Sequence, residues 1–175
     1  DSACYLAKES GRNRVYVYRE SDVAGDEQRG NTSWVRRLVN AMDEGRLQLY
    51  WQRIVPLQGQ DKIGITGEIL LRLSEDGALI SPSAFLPIAE RYALASRIDR
   101  WVVTTMFDWL SVHQDLHQGI ASLAINLSGQ SISDPDFQGF LLERIKSVAI
   151  DPRKLCLEVT ETSAITNLQA SVNFF

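Results

Sequence analysis

The chain has 175 residues, 45% of them hydrophobic and 23% charged, with a net charge of -4 and a pI of about 5.2; this is an ordinary globular composition with room for one medium domain, or a small one with an appendage. The acidic balance argues against a DNA or RNA duplex as partner, because binding to the phosphate backbone leaves a basic footprint; it leaves room for a small phosphate ligand held by one or two local arginines. No apolar run approaches a membrane span and no signal peptide is visible, so no membrane contact is expected within this segment, and the expected location is cytoplasmic.

Residues 1–9 read as the end of a helix with apolar Ala3, Cys4, Leu6 and Ala7, closed by Gly11. The chain opens at Asp1 without a Met, inside that helix, which reads as a segment excised from a longer protein. Val15 and Val17 with their tyrosine neighbours suggest a short strand. Residues 19–33 are polar, contain Gly25 and Gly30, and read as a linker. From Trp34 to Glu44 the spacing predicts an amphipathic helix with Trp34, Val35, Leu38 and Met42 on one side, Ser33 as N-cap and Gly45 past its end. Two strands follow, Leu47 to Leu57 and Lys62 to Leu73, joined by a turn at Gly59 to Asp61.

Pro82 opens a short helix to about Tyr92, and Ser96 with Asp99 suggests a capping box for a long helix running through Trp101, Trp109 and Leu116. Ser122 to Leu127 is a predicted strand. Asp134-Pro135 starts a helix with Phe137, Phe140, Leu141, Ile145 and Val148 inward. Lys154 to Thr160 is the next strand, and a helix begins at Ala164. This alternation of strand and helix is the α/β signature. The two cysteines, Cys4 and Cys156, lie far apart and read as reduced thiols.

Because strand side chains alternate, Glu68 and Arg72 share one face of the second strand opposite Ile65, Ile69 and Leu71. Asn126 opposes Leu123 and Ile125, and Glu158 opposes Leu155, Leu157 and Val159. Each strand thus offers an apolar face to helices and a polar face whose Glu68, Asn126 or Glu158 lies toward the C-terminal end, where α/β barrels build their sites. Two carboxylates and an amide oxygen make a hard ligand set suited to Mg2+ or Mn2+. Taken singly, each is more simply a polar strand end paired with a neighbouring cation; three at equivalent positions point to a site. Arg72 fits either a bidentate phosphate clamp or a charge partner for Glu68.

Other motifs fail. His113 and His117 have zincin spacing, but Gln114 stands where the glutamate would be, and both histidines are expected at the surface. Trp101, Phe107 and Trp109 follow helical spacing and are expected in the core. No Walker loop, nucleophile elbow or dinucleotide-binding glycine fingerprint is present.

Two stretches are similar to known families. Ala7 to Val15, Ala-Lys-Glu-Ser-Gly-Arg-Asn-Arg-Val, resembles the closing A-K-x-x-G-R-N-x-V of GGDEF diguanylate cyclase domains, where the residues matching Lys8 and Arg12 approach nucleotide phosphates. From about Trp34 the chain resembles an EAL domain. The E-A-L-x-R motif stands as Glu68-Ile-Leu-Leu-Arg72 and S-P-x-x-F-x-P-x-A-E as Ser81 to Glu90; Ile98 to Val103, Ile125 to Ser128 and Leu157 to Glu161 follow in the family's order. The resemblance implies residues 1–19 as a GGDEF tail, 20–33 as linker and 34–175 as roughly the first half of an EAL domain. The implied fold is α/β, the N-terminal half of a modified TIM barrel with an antiparallel first strand.

The implied activity is Mg2+- or Mn2+-dependent hydrolysis of cyclic-di-GMP to linear pGpG. Glu68, Asn126 and Glu158 would be metal ligands, Arg72 would hold a substrate phosphate, Gln52 would line the ligand pocket, and Glu161 would anchor the loop after the fifth strand. A homodimer through the EAL domain is also implied. The sequence departs from the family at Ile69, which replaces the Ala of the motif name. The family's D-D-F-G loop, its catalytic lysine and a later glutamate and glutamine should follow Phe175, so the 175 residues alone are expected to lack half of the active site. Two further readings stand beside the phosphodiesterase: a degenerate EAL domain that binds cyclic-di-GMP as a receptor, and a scaffold or dimerisation module without a ligand.

Overall fold

The computed structural model describes residues 33–57 and 64–160. Residues 33–43 are helical (α1) and bury Leu38 and Ala41 against the core, with Trp34 and Met42 beside them. The helix ends in a Schellman closure: the Arg46 N–H donates to the Ala41 carbonyl at 2.8 Å across Gly45, whose φ is 68°. Strand β1 (Leu47–Ile54) follows and pairs antiparallel with β2 (Ile65–Glu75), Gln52 opposite Glu68 and Gln48 opposite Arg72. A two-residue turn with positive φ at both Asp76 (49°) and Gly77 (78°) folds β3 (Ala78–Ile80) back on the end of β2. That is the geometry of a type I′ hairpin, for which Asp-Gly is a preferred pair.

The chain then crosses over through α2 (Leu86–Arg91) and α3 (Ala95–Val112) to β4 (Ile120–Leu127), parallel to β2. A second crossover, α4 (Gly129–Ile132) and α5 (Pro135–Lys146), leads to β5 (Leu155–Val159), parallel to β4. The sheet order is β1-β2-β4-β5, with β3 on β2. Apart from the short hairpin strand β3, the sheet is parallel except for a reversed first strand, with helices on its apolar face, which is the architecture expected for the opening half of the barrel.

The register explains the core. Ile69, Leu71 and Leu73 of β2 align with Leu47, Leu49 and Trp51 of β1, and Leu123, Ile125 and Leu127 of β4 with Leu155, Leu157 and Val159 of β5. Against this face α3 packs Ile98, Val102, Val103, Met106, Phe107 and Leu110, and α5 packs Phe137 and Leu141. Full burial of each such side chain contributes roughly 1.5–3 kcal/mol. The α5 start is as expected: Asp134 is the N-cap, accepting from the Asp136 N–H at 3.0 Å, with Pro135 next.

Several expectations are corrected. Ser96 lies inside α3, whose N-cap is Leu94 without a side-chain bond. The helix starts early because Ala93, at φ 55°, reverses the chain right after α2, and the Leu94 N–H closes on the Ala89 carbonyl at 2.7 Å. The same helix ends at Val112, not Leu116, and a 3-10 turn over Gln114–Leu116 follows. His117 is buried rather than exposed, its Nε2 2.9 Å from the Leu110 carbonyl. Trp109 is 45% exposed and stacks on His113 instead of entering the core. Glu68 is the fourth of 11 residues in β2, because the strand continues past it into the β3 hairpin. The expected turn at Gly59 to Asp61, the segments before residue 33, Cys4, Glu161 and the helix from Ala164 lie outside the described residues. Cys156 is a free, exposed thiol. Among the described residues no helix is long and apolar enough to cross a membrane.

Candidate active site

The face of the sheet turned away from α3 and α5 collects the polar residues. Gln52 pairs with Glu68, Thr66 with Ser122, Glu68 with Ala124, Ala124 with Cys156, and Asn126 with Glu158. Directly opposed residues project to the same side, so Gln52, Glu68, Asn126 and Glu158 stand on one surface across four strands. The contact that ties them is a hydrogen bond from the Asn126 side-chain amide to Glu68 Oε1 at 2.6 Å, 58 residues apart in sequence. Small residues make this reach possible: Ala124 stands directly beside Glu68, and no large side chain intervenes. Glu158 and Asn126 are exposed and Glu68 half-buried. Among the described residues no cluster of three or more His, Cys, Asp and Glu side chains forms, so the candidate cation donors are two carboxylates and one amide.

Arg72 shares the strand face of Glu68, four residues on. It does not form the expected alternative pair with Glu68: its Nη1 donates to the Leu71 carbonyl at 2.7 Å, and no ion pair holds it among the described residues. The guanidinium keeps most of its five donors. Arg72 and Asn126 line a cavity of about 380 Å³, together with Ser128, Glu90, Thr160 and Asp99. A second groove of about 360 Å³, on the helix side between β1 and α3, is lined by Trp51, Met106 and Trp109, with neither a carboxylate nor an arginine. Of these two, the first carries the charged and polar lining, and Arg72 and Asn126 are the candidate site residues in it.

Asp99 is the site residue that sequence reasoning missed. It sits on the buried face of α3, 6% exposed, and its Oδ2 accepts from the Ser128 N–H at 2.8 Å and from the Ser131 hydroxyl at 2.7 Å. Burial pushes its carboxyl above the usual carboxylate range; the bonds from Ser128 and Ser131 oppose that shift, and the charge of Glu90 adds to it. A signal was present in the sequence: Asp99 lies on the apolar stripe Ile98, Val102, Val103, Met106, and neither the third nor the fourth residue on either side is basic.

Below the hairpin, Glu75 accepts from Arg37 of α1 and lies 3.4 Å from Arg46. The bond from Arg37 holds its carboxyl below the usual range, against the opposing effect of desolvation.

Residues 35–174 match the model of a known family, described as the EAL domain. The chain is 34% identical over 168 residues to the cyclic di-GMP phosphodiesterase PdeB of Shewanella oneidensis, covering 95% of this chain and 19% of that protein. It is 30% identical over 173 residues to MucR of Pseudomonas aeruginosa, a bifunctional diguanylate cyclase/cyclic di-GMP phosphodiesterase, covering 98% of this chain and 25% of that one. Among solved structures, the Xanthomonas citri FimX EAL domain in complex with c-diGMP superposes with a TM-score of 0.70 at 28% identity, covering 85% of this chain and 57% of that one. The chain therefore spans about a fifth to a quarter of these curated relatives.

Proposed function

The chain belongs to the EAL-domain family, and on that premise we propose that it forms part of a metal-dependent phosphodiesterase that hydrolyses cyclic-di-GMP to linear pGpG. The observation that carries this reading is the Asn126–Glu68 contact beside Glu158, on the face that also bears Arg72. An all-oxygen set of two carboxylates and an amide fits a hard cation, Mg2+ or Mn2+, better than zinc. Glu68, Asn126 and Glu158 would hold it. The chemistry such an ion supplies when bound is polarisation of a phosphoryl oxygen and a lowered pKa for a coordinated water.

The chain's own residues do the rest. Arg72 offers a planar donor pair to the non-bridging oxygens of a phosphate and stabilises charge that builds there. Gln52, opposite Glu68, presents an amide to the same surface. The apolar wall of the cavity, with Leu86 and Leu127, lowers the local dielectric on the side of Arg72 and Asn126 that faces it. Glu161 is proposed to hold the loop after β5. The same reading places a GGDEF tail at 1–19 and a linker at 20–33; the MucR alignment, which covers 98% of the chain, supports it. It also includes homodimerisation through this domain and a cytoplasmic location.

The test is hydrolysis of cyclic-di-GMP by the full-length protein in Mn2+, with pGpG resolved by chromatography. Turnover is expected, and Glu68→Ala should abolish it with an unchanged circular dichroism spectrum. Full activity in Glu68→Ala would overturn the site. Binding of cyclic-di-GMP without turnover would make the domain a receptor, and no binding with or without metal would make it a scaffold.

A further inference from the structure

We propose that Asp99 is a positioning residue for the metal site: from the helix side of the sheet it fixes the turn that ends β4 and thereby aims Asn126 at Glu68. The inference rests on the phosphodiesterase reading above. The chain of contacts is short. Asn126 is the penultimate residue of β4, Leu127 behind it is buried, and Ser128 is the N-cap of α4. Asp99 Oδ2 takes both the Ser128 N–H, at 2.8 Å, and the Ser131 hydroxyl, at 2.7 Å. Ser128 Oγ in turn accepts from the Ser131 N–H at 3.3 Å. A single carboxylate oxygen thus clamps both ends of the turn, two residues from the carboxamide that donates to Glu68.

Structure alone does not call for an acid here. Asp99 makes no ion pair among the described residues, and burying an unpaired carboxylate costs free energy that a neutral acceptor would spare. A charged acceptor does bond a backbone N–H and a hydroxyl about twice as strongly as a neutral one. It therefore adds directional bonds at the strand end to the non-directional packing of Leu127. Glu68 lies on a continuous strand paired on both edges, so its backbone is fixed by the sheet. Asn126 is paired on one edge only, with Glu158 of β5, and stands one residue before the end of β4, so its position depends more on what holds the turn that follows. Groups that orient metal ligands in this way typically govern affinity by about 10–100-fold.

The experiment measures Mn2+ affinity by electron paramagnetic resonance on the full-length protein, without substrate, for wild type, Glu68→Ala, Asp99→Ala, Asp99→Asn and Ser131→Ala. Asp99→Ala is expected to weaken Mn2+ binding by about 10–100-fold with the circular dichroism spectrum retained. Asp99→Asn, whose one carbonyl oxygen can stand where Oδ2 accepts from both the Ser128 N–H and the Ser131 hydroxyl, keeps the geometry with a weaker, neutral acceptor and should fall between Asp99→Ala and wild type. Ser131→Ala removes one of the two donors and should weaken binding toward the lower end of that range. Wild-type affinity in Asp99→Ala overturns the inference; if Asp99→Ala does not fold, wild-type affinity in Ser131→Ala overturns it instead. Failure of the underlying reading looks different: wild type itself would show no Mn2+ binding that Glu68→Ala removes, and the inference would fall with it.

Discussion

Gly67 precedes Glu68 and lies under the indole of Trp51. A Cβ built on it would meet Trp51 Cε2 and Nε1 at 2.5 Å and Cζ2 at 2.8 Å. Carbon atoms in ordinary contact stand about 3.5–4.0 Å apart, so Gly67→Ala must push the ring away by about 1 Å. The ring is 38% exposed and can tilt, but the β1–β2 register fixes its Cα opposite Ile69. Overpacking of this kind costs about 1–3 kcal/mol. Against it stands a gain of roughly 0.5–1 kcal/mol from replacing a strand glycine by alanine. The expected net loss is about 1–2 kcal/mol, which at a urea m-value of about 2 kcal/mol/M lowers the unfolding midpoint by about 0.5–1 M. In a Trp51→Val background the clash is gone, and the same Gly67→Ala change should become neutral or stabilising. The assay is urea unfolding of the four proteins by far-ultraviolet circular dichroism, closed as a double-mutant cycle. A Gly67→Ala protein as stable as wild type, or a loss that persists without Trp51, would refute the reasoning.

Asp151 caps the 3-10 turn before β5, and the hydrogen bond from the Arg153 side chain lowers its carboxyl from 3.8 to about 2. Since the folded value lies below the unfolded one, the stabilisation is present above about pH 4 and lost as pH falls through about 2. A carboxyl NMR titration should move back toward 3.8 in Arg153→Ala, and an unchanged midpoint would remove Arg153 as the cause. For Arg72→Lys, which keeps the charge and loses the planar fork, affinity for cyclic-di-GMP should fall by about tenfold or more, consistent with about 1.5–3 kcal/mol for charge-assisted bonds. Calorimetry showing equal affinity would mean Arg72 does not engage a phosphate in bidentate form.

Strand alternation was legible because it needs only neighbours: Glu68, Asn126 and Glu158 each stand opposite apolar residues of their own strand, and the parallel register then aligns the last two. The long crossover helices were legible from apolar spacing and, for α5, from Asp134-Pro135. What escaped depended on contacts distant in sequence. Ser96 with Asp99 imitated a capping box, but Asp99 is spoken for by Ser128 and Ser131, about thirty residues on. His117 looked solvent-facing because its polar neighbours are; the Leu110 carbonyl that holds it belongs to the end of α3. Strand β3 is three residues long and carries no periodicity, yet Asp76-Gly77 was a local signal for it that went unread.

The reversal of β1 changes how the domain is wired. In an ordinary β/α alternation the chain would enter the first strand at the end of the sheet remote from ligands. Here β1 begins at Leu47, opposite Leu73, near the far end of β2 and beyond Arg72. Helix α1 therefore delivers the chain to the same rim where the cavity opens. Arg37 of α1 and Arg46 at its exit both grip Glu75, the last residue of the strand that carries Glu68 and Arg72. Helix α1 is thereby tied by ion pairs to the end of the very strand that carries Glu68 and Arg72, on the same side of the sheet edge and not across its thickness.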